Sequence, residues 1–389
     1  MKVVALIPDR FAHYRYPVFK KLTSLGAEKY KLHIYADIEK DKSGIDLPPL
    51  HYVGDDLDQG GVCWRPVKSM FFRGVCFWQT RLLGLAADDN YDVVVYWGDA
   101  YRVSTWISAA LARARGKKVV FWSHGIYGKE SKLKLFVRKT FYRIPHAMLL
   151  YGGYSKKLLV DEGFSESSLY VINNSLDVEC QVESYKRALD KGSSLSEDIK
   201  EDLNVDRLVI FVGRLTASKK IEMILDCVKS INSSGTVRLG VLLVGGGDYK
   251  SKLESYSLSL NISDKVNFYG PCYDHDTLAS LYIKSDICVS PGNVGLTAMQ
   301  SLIFGTPVVT HDDMTNQMPE SESVREGVSG ALFLRDSLES LISAVNRCLQ
   351  YIDSGIITGE TCREVIYSEY TPEYQAKIFH EMLDGLEGK

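Results

Sequence analysis

SPGNVGLTAMQSLIFGTPVVT, residues 290–310, is the stretch on which the reading of this chain turns. It runs as a strand end, a turn bearing Gly292 and Gly295, a short apolar helix and a second strand. A junction of this shape commonly grips an anion, yet the stretch holds no Lys, Arg, Asp, Glu or His. Backbone geometry resolves the difficulty. The N–H groups of Val294 to Thr297 are expected to point outwards at the helix start and to meet phosphate oxygens without a cationic side chain.

Working outwards, the same strand–helix alternation fills the second half of the chain. LVIFVG (208–213), VLLVGG (241–246), KVNFYG (265–270), ICVSP (287–291) and PVVT (307–310) read as strands with helices between them. In the first half the strands are VVALI (3–7), LHIYA (32–36), DVVVYW (92–97), KVVFW (118–122), AMLLY (147–151) and LYVIN (169–173). Residues 178–206 interrupt the pattern with polar sequence and a Gly-Ser-Ser run. The expected division is therefore 1–177 and 178–370, with a final helix over about 371–389 packing back on the first domain. Both domains read as α/β, Rossmann-like doubly wound parallel sheets, whose ligands sit at the carboxyl ends of the strands.

Bulk properties narrow the class. The chain has 389 residues, 45% hydrophobic and 24% charged, with a net charge of -3, which excludes disorder and a fibrous protein. Eight cysteines stand singly, without a CxxC pair, and read as reduced thiols rather than metal ligands. The apolar N-terminal run ends at Asp9, too short for a signal peptide, and no window approaches a membrane-spanning length. A cytoplasmic protein is expected.

Two further strand-end loops carry chemistry. FVGRLTASKK places Gly213 and Arg214 just past a strand and Lys219 at a helix start, a disposition suited to a diphosphate and equally explained by solvated surface charge. VGGGDYKSKL puts Gly245, Gly246 and Gly247 between strand and helix, without the GxGxxG spacing of a dinucleotide site. This stretch allows close approach to a ligand or is a plain tight turn.

Taken together, GRLTASKK (213–220), VGGGDYKSKL (244–253), residues 266–310 and PESESVREGVSGALF (319–333) resemble the retaining glycosyltransferases of family 4, which have the GT-B fold. PDRFAHYRYPVFKKL, FWSHGIYGKE and VINNSLD in the first half look similar to the same family. The resemblance implies a UDP- or GDP-linked sugar donor on the second domain, with no metal or other cofactor. Arg214 and Lys219 would contact the diphosphate, helped by Gly213, Gly246 and the backbone of Val294, Gly295, Leu296 and Thr297. Tyr269 and Pro271 would line the base, and His124 of WSHG would face the donor sugar, although a lone His also serves as a turn cap. Catalysis by His124, Arg214 and Lys219 is the expectation, with Arg15, Asn293 and Glu320 as acceptor or sugar contacts.

The departure from the family is local. Two glutamates eight positions apart usually flank the turn; here those positions hold Gly292 and Gln300. Gln300 still hydrogen-bonds ribose hydroxyls, whereas Gly292 brings nothing to the sugar. Asn293, His311, Asp312, Asp313 or Glu320 are the available substitutes. Asp56-Leu57-Asp58 spells the DxD of metal-dependent transferases but lies in a polar loop far from the phosphate loops and reads as solvated.

Two cationic, aromatic stretches remain, WRPVKSMFFRGVCFWQTRLLG (64–84) and KESKLKLFVRKTFYRIPH (129–146). They suit an anionic membrane surface or a lipid-linked acceptor, or else turn their apolar residues to the core and their bases to water. No nucleic-acid motif is present. The expectation is a hexosyltransferase at the inner face of the cell membrane that serves surface polysaccharide or lipopolysaccharide synthesis. The alternatives are a nucleotide-sugar epimerase and a non-catalytic partner subunit.

Overall fold

Runs of Val, Ile and Leu, buried on both faces, build two wholly parallel sheets. The computed structural model describes residues 1–8, 15–37, 62, 64–73, 75–190, 197–235 and 237–387. It divides into two compact units, Met1–Asp177 with Thr371–Lys389, and Val178–Tyr370.

Unit 1 begins with β1 (Lys2–Ile7), α1 (Tyr16–Ser24), β2 (Tyr30–Asp37) and β3 (Trp64–Val67). A hairpin of β4 (Ser69–Phe72) and β5 (Val75–Gln79) follows, then α2 (Leu82–Ala87), β6 (Val93–Trp97) and α3 (Val103–Ala114). The sheet is completed by β7 (Lys118–Ser123), α4 (Lys132–Tyr142), β8 (Ala147–Leu150), α5 (Gly153–Asp161) and β9 (Leu169–Val171). Its strand order is β3-β2-β1-β6-β7-β8-β9, reversing direction between β1 and β6.

Unit 2 opens with α6 (Val178–Asp190) and α7 (Glu197–Asp202). Its sheet is made by β10 (Arg207–Val212), α8 (Glu222–Ser234), β11 (Leu239–Val244), α9 (Lys250–Ser259), β12 (Val266–Gly270) and α10 (His275–Lys284). Then come β13 (Ile287–Ser290), α11 (Leu296–Ile303), β14 (Val308–His311), β15 (Gly330–Phe333), α12 (Leu338–Asp353) and α13 (Gly359–Glu369). The order β12-β11-β10-β13-β14-β15 reverses between β10 and β13. The chain then returns to unit 1 as α14 (Pro372–Gly385), started by the Thr371 hydroxyl accepting from Tyr374 N–H and by Pro372 at the first turn.

Helices cover both faces of the unit 1 sheet. On one face, Val18, Phe19 and Leu22 of α1 and Phe379, Met382 and Leu383 of α14 close over Val4, Leu6 and Leu149. On the other, α2, α3, α4 and α5 bring Leu85, Ala109, Phe141 and Leu159 against Ala5, Val94 and Phe121. Gln375 ties the returning helix down, its Nε2 donating to Asn173 O at 2.6 Å and its Oε1 accepting from the buried Ser175 hydroxyl at 2.8 Å.

Three stretches hold elements that the alternation did not mark. Val178–Asp190 form α6, which buries Val178, Gln181 and Ser184, with Gln181 Nε2 3.0 Å from His275 Nδ1. The buried stripe is largely polar, which hid the helix. The stretch 64–84 holds three strands that its basic–aromatic composition masked. The short β15 lies within SGALF and pairs with β14.

Candidate functional site

Strand order alone dictates where unit 2 can bind a ligand. At the reversal point the loops leaving β10 and β13 diverge, one to each face of the sheet, and open a crevice at the carboxyl edge. Arg214 and Lys219 lie on the first loop, and Gly292 to Gly295 on the second.

The two loops are joined. Lys219 Nζ donates to Asn293 O at 2.7 Å and to Asn293 Oδ1 at 2.9 Å, and Gly292 N–H donates to Lys219 O at 3.1 Å. Burial lowers the Lys219 pKa, an effect opposed by the negative charge of Glu320. Glu320 is itself buried in a short 3-10 turn, Pro319–Ser323. Arg214, by contrast, is exposed and makes no ion pair among the described residues.

Gly292 is glycine for a steric reason. A Cβ there would lie 2.5 Å from Ser218 O and 2.8 Å from Lys219 Cα, so the β10 loop fills the space a side chain would need. A carboxylate side chain is thus excluded here by packing.

The helix start at Gly295 is only partly as expected. Val294 N–H is buried and donates to Gln317 Oε1 at 2.8 Å, so it does not face a ligand. Gln317 holds it there by donating through Nε2 to Thr310 Oγ1 and His311 O, both at 2.9 Å. The N–H groups of Gly295, Leu296 and Thr297 make no hydrogen bond among the described residues and open the first turn of α11. Thr297 Oγ1 bonds back to Val212 O at 3.2 Å, anchoring that turn to the β10 edge. Gln300 stands one turn further along α11, half-buried.

The three-glycine loop serves packing. A Cβ on Gly245 would fall 1.8 Å from Gly213 O, so the loops leaving β10 and β11 lie in backbone contact, with Leu215 N–H donating to Gly246 O at 3.0 Å. Gly246 in turn sits against Pro271, and Gly245 N–H donates to Gly270 O at 2.9 Å. Tyr269, near the end of β12, and Tyr273, in the loop after it, are exposed. Asp313 is already engaged: hydrogen bonds from Thr315 and Asn316, with a smaller contribution from its pair with Arg335, hold its carboxyl well below the usual range. It is therefore not a spare polar group for a sugar.

Unit 1 holds a second cluster. His124 follows β7, its ring 4.6 Å from that of Tyr151, with Nδ1 enclosed and without a hydrogen-bond partner among the described residues. Burial, reinforced by Arg15 and Arg138, brings its pKa down to about 4, so the ring is neutral at pH 7. The Arg15 guanidinium lies 4.9 Å from the centre of the Trp97 ring, 5.8 Å from Trp122 and 5.6 Å from Tyr151, and donates to the Tyr151 hydroxyl. Trp97 and Tyr151 are additions that the sequence reading passed over, although each stands at the carboxyl end of a strand.

No group of His, Cys, Asp or Glu among the described residues is arranged to hold a metal. Asp56 and Asp58 lie outside the described residues.

Residues 196–353 match the glycosyl transferases group 1 family. This segment contains every loop of the unit 2 crevice. An uncharacterized glycosyltransferase, MJ1607, of Methanocaldococcus jannaschii is 27% identical over 175 residues, covering 44% of this chain and 43% of that protein. The chain thus spans less than half of the curated relative it matches. Solved structures align over nearly the whole chain. The apo lipopolysaccharide outer core galactosyltransferase WaaB superposes with a TM-score of 0.69 at 14% identity, covering 99% of each chain. Anabaena Alr3699/HepE, in complex with UDP, gives 0.67 at 15% identity, covering 99% of this chain and 100% of that one. The fold is GT-B, with two Rossmann-like domains. The group 1 match within that fold supports a glycosyltransferase.

Proposed function

We propose that the protein moves a hexose from a UDP- or GDP-linked donor to a glycan or lipid-linked acceptor, with retention of configuration and without a metal. Unit 2 binds the donor and unit 1 the acceptor. The observation that carries this reading is the junction of Lys219 with the β13 loop beside three unbonded N–H groups of the α11 start. A cation and preorganised N–H donors converge there, the combination that stabilises a departing diphosphate. Arg214, exposed beside them, adds a second positive charge.

The family match in unit 2 supports a nucleotide-sugar donor, and HepE, a fold neighbour, binds UDP and UDP-glucose. A role in surface polysaccharide or lipopolysaccharide synthesis at the inner face of the cell membrane follows the resemblance to WaaB and belongs to this proposal. The mechanism asks little of side-chain carboxylates. Departure of the diphosphate is assisted electrostatically, and a donor phosphate oxygen takes the acceptor proton.

The packing at Gly292 favours one other reading, a non-catalytic nucleotide-binding partner subunit. A panel of UDP-, GDP- and CMP-sugars separates the two. Binding with slow donor hydrolysis and anomer-retained product supports the transferase; binding without turnover on any acceptor supports the partner subunit; no nucleotide binding removes both.

A further inference from the structure

Of the large apolar side chains exposed among the described residues, half lie between residues 70 and 137 of unit 1, and all of these but Leu83 and Tyr101 stand on three neighbouring elements. The β4–β5 hairpin presents Met70, Phe71, Phe72 and Val75, with Phe72 66% exposed. Along α3, Val103, Ile107 and Leu111 recur every four residues and form one outward stripe. On α4 the corresponding stripe is Leu133, Phe136 and Val137, with Leu133 73% and Phe136 68% exposed.

These elements lie side by side. Gln79, at the end of the hairpin, accepts from Arg102 through its side chain, and its N–H donates to Ser104 Oγ at 3.0 Å, which fixes the hairpin to the start of α3. The Trp106 and Phe141 rings, 4.8 Å apart, join α3 to α4, and Arg113 reaches Ile144 O beyond the end of α4. The apolar stripes thus share one side of the unit 1 sheet, above the α2–α5 core layer.

The segments that carry these elements hold charge of one sign. Residues 64–87, 101–116 and 131–146 contain twelve Lys and Arg and no Asp or Glu, leaving 34 bases against 49 acids in the rest of the chain. Arg102 turns inwards, and Arg115, Arg138 and Lys139 pair with Asp89, Glu130 and Glu162. Arg73, Arg81, Lys132, Lys134 and Arg143 are exposed among the apolar side chains. Such a face would be costly to leave in water, and its charge selects an anionic partner.

We propose that the β4–β5 hairpin, α3 and α4 seat the protein on an anionic lipid bilayer, apolar side chains at the acyl boundary and bases among the headgroups. The inference deepens the reading of a lipid-linked acceptor above, since such an acceptor is met at that surface. It extends beyond the two basic stretches, because α3 supplies the apolar bridge between them.

The test is co-sedimentation of the full chain with vesicles of phosphatidylcholine alone or of phosphatidylcholine with phosphatidylglycerol. Pelleting with the anionic vesicles only, weakened by salt, is the expected result. The double variant Lys132→Glu, Lys134→Glu should lower partitioning about thirtyfold, since each base near an anionic surface is worth roughly fivefold. Phe72→Ser with Phe136→Ser should lower it as well, and binding of UDP or GDP should be unchanged in both pairs, which reports that the chain is folded. Absence of wild-type binding to anionic vesicles overturns the proposal, as does partitioning indifferent to both pairs. A dimer in solution that Phe72→Ser with Phe136→Ser dissociates, or tight binding of nucleic acid in place of vesicles, assigns the face to another occupant and also overturns it. Vesicle binding with no nucleotide binding upholds this inference while removing the donor reading.

Discussion

Lys219 Nζ is shared between the backbone carbonyl and the side-chain oxygen of Asn293, at 2.7 and 2.9 Å, so a half-buried cation of the β10 loop is hooked to the β13 loop. Both acceptors are neutral, and a diphosphate would compete for the same ammonium on favourable terms. Lys219→Ala should therefore weaken UDP or GDP binding about 10- to 100-fold, the value of a charged hydrogen bond. Asn293→Ala should cost far less. Calorimetric titration checks both, and equal losses would mean that the tether itself, not the charge, sets affinity.

Placing a carboxylate at position 292 should fail. With Ser218 O and Lys219 Cα within 2.8 Å of the added Cβ, Gly292→Glu must displace the β10 loop and with it Lys219. Overpacking of this kind costs about 1–3 kcal/mol. The expected outcome is a lower melting temperature together with weaker nucleotide binding. A variant with raised turnover and unchanged stability would show that the loop gives way easily and that the site accepts a carboxylate there.

Gln317→Leu removes the acceptor that holds Val294 N–H and the donor that bonds Thr310 and His311. Leaving those buried groups unpaired should cost about 1–3 kcal/mol each. Because the loss falls on the turn leading into α11, donor affinity should drop with stability. Thermal denaturation and nucleotide titration, compared with Gln317→Glu, test this.

His124 carries a pH signature. Its folded pKa, about 4, lies below the value of roughly 6.5 expected in the unfolded chain. The unfolded state therefore binds more protons between those limits, so this histidine's contribution to stability is complete above about 6.5 and is lost as pH falls towards 4. The full effect is on the order of 3 kcal/mol. His124→Gln should flatten that part of the stability profile, leaving the contributions of His146, His311 and His380, whose pKa values burial also lowers. An NMR titration that places the His124 ring near 6.5 would contradict its enclosure.

Strands made of consecutive Val, Ile and Leu were legible because a strand covered on both faces has no reason to alternate, and VLLV or VVVYW admits little else. With strand order fixed, the position of the β10 and β13 loops at one crevice follows. What escaped the sequence is of another kind. The helix α6 buries Gln181 and Ser184, residues that a hydrophobic pattern discards. The hairpin keeps its apolar side chains outside, the reverse of the usual cue. The fate of the Val294 N–H depends on Gln317, 23 residues away, and no local rule reports a partner at that distance. Gly292 likewise reads as freedom to turn, whereas its role is to let another loop come close.

Thr371 returns the chain to a unit it left at Asp177, and α14 completes a core whose other walls include α1 and β1. During synthesis, then, unit 2 is a continuous segment able to fold as it emerges, while unit 1 must wait, with Phe19 and Leu22 uncovered, until Phe379 and Met382 arrive. A chain stopped short of Pro372 would carry its damage at the opposite end of its sequence. The returning helix thereby acts as a check on a core begun before unit 2 was made.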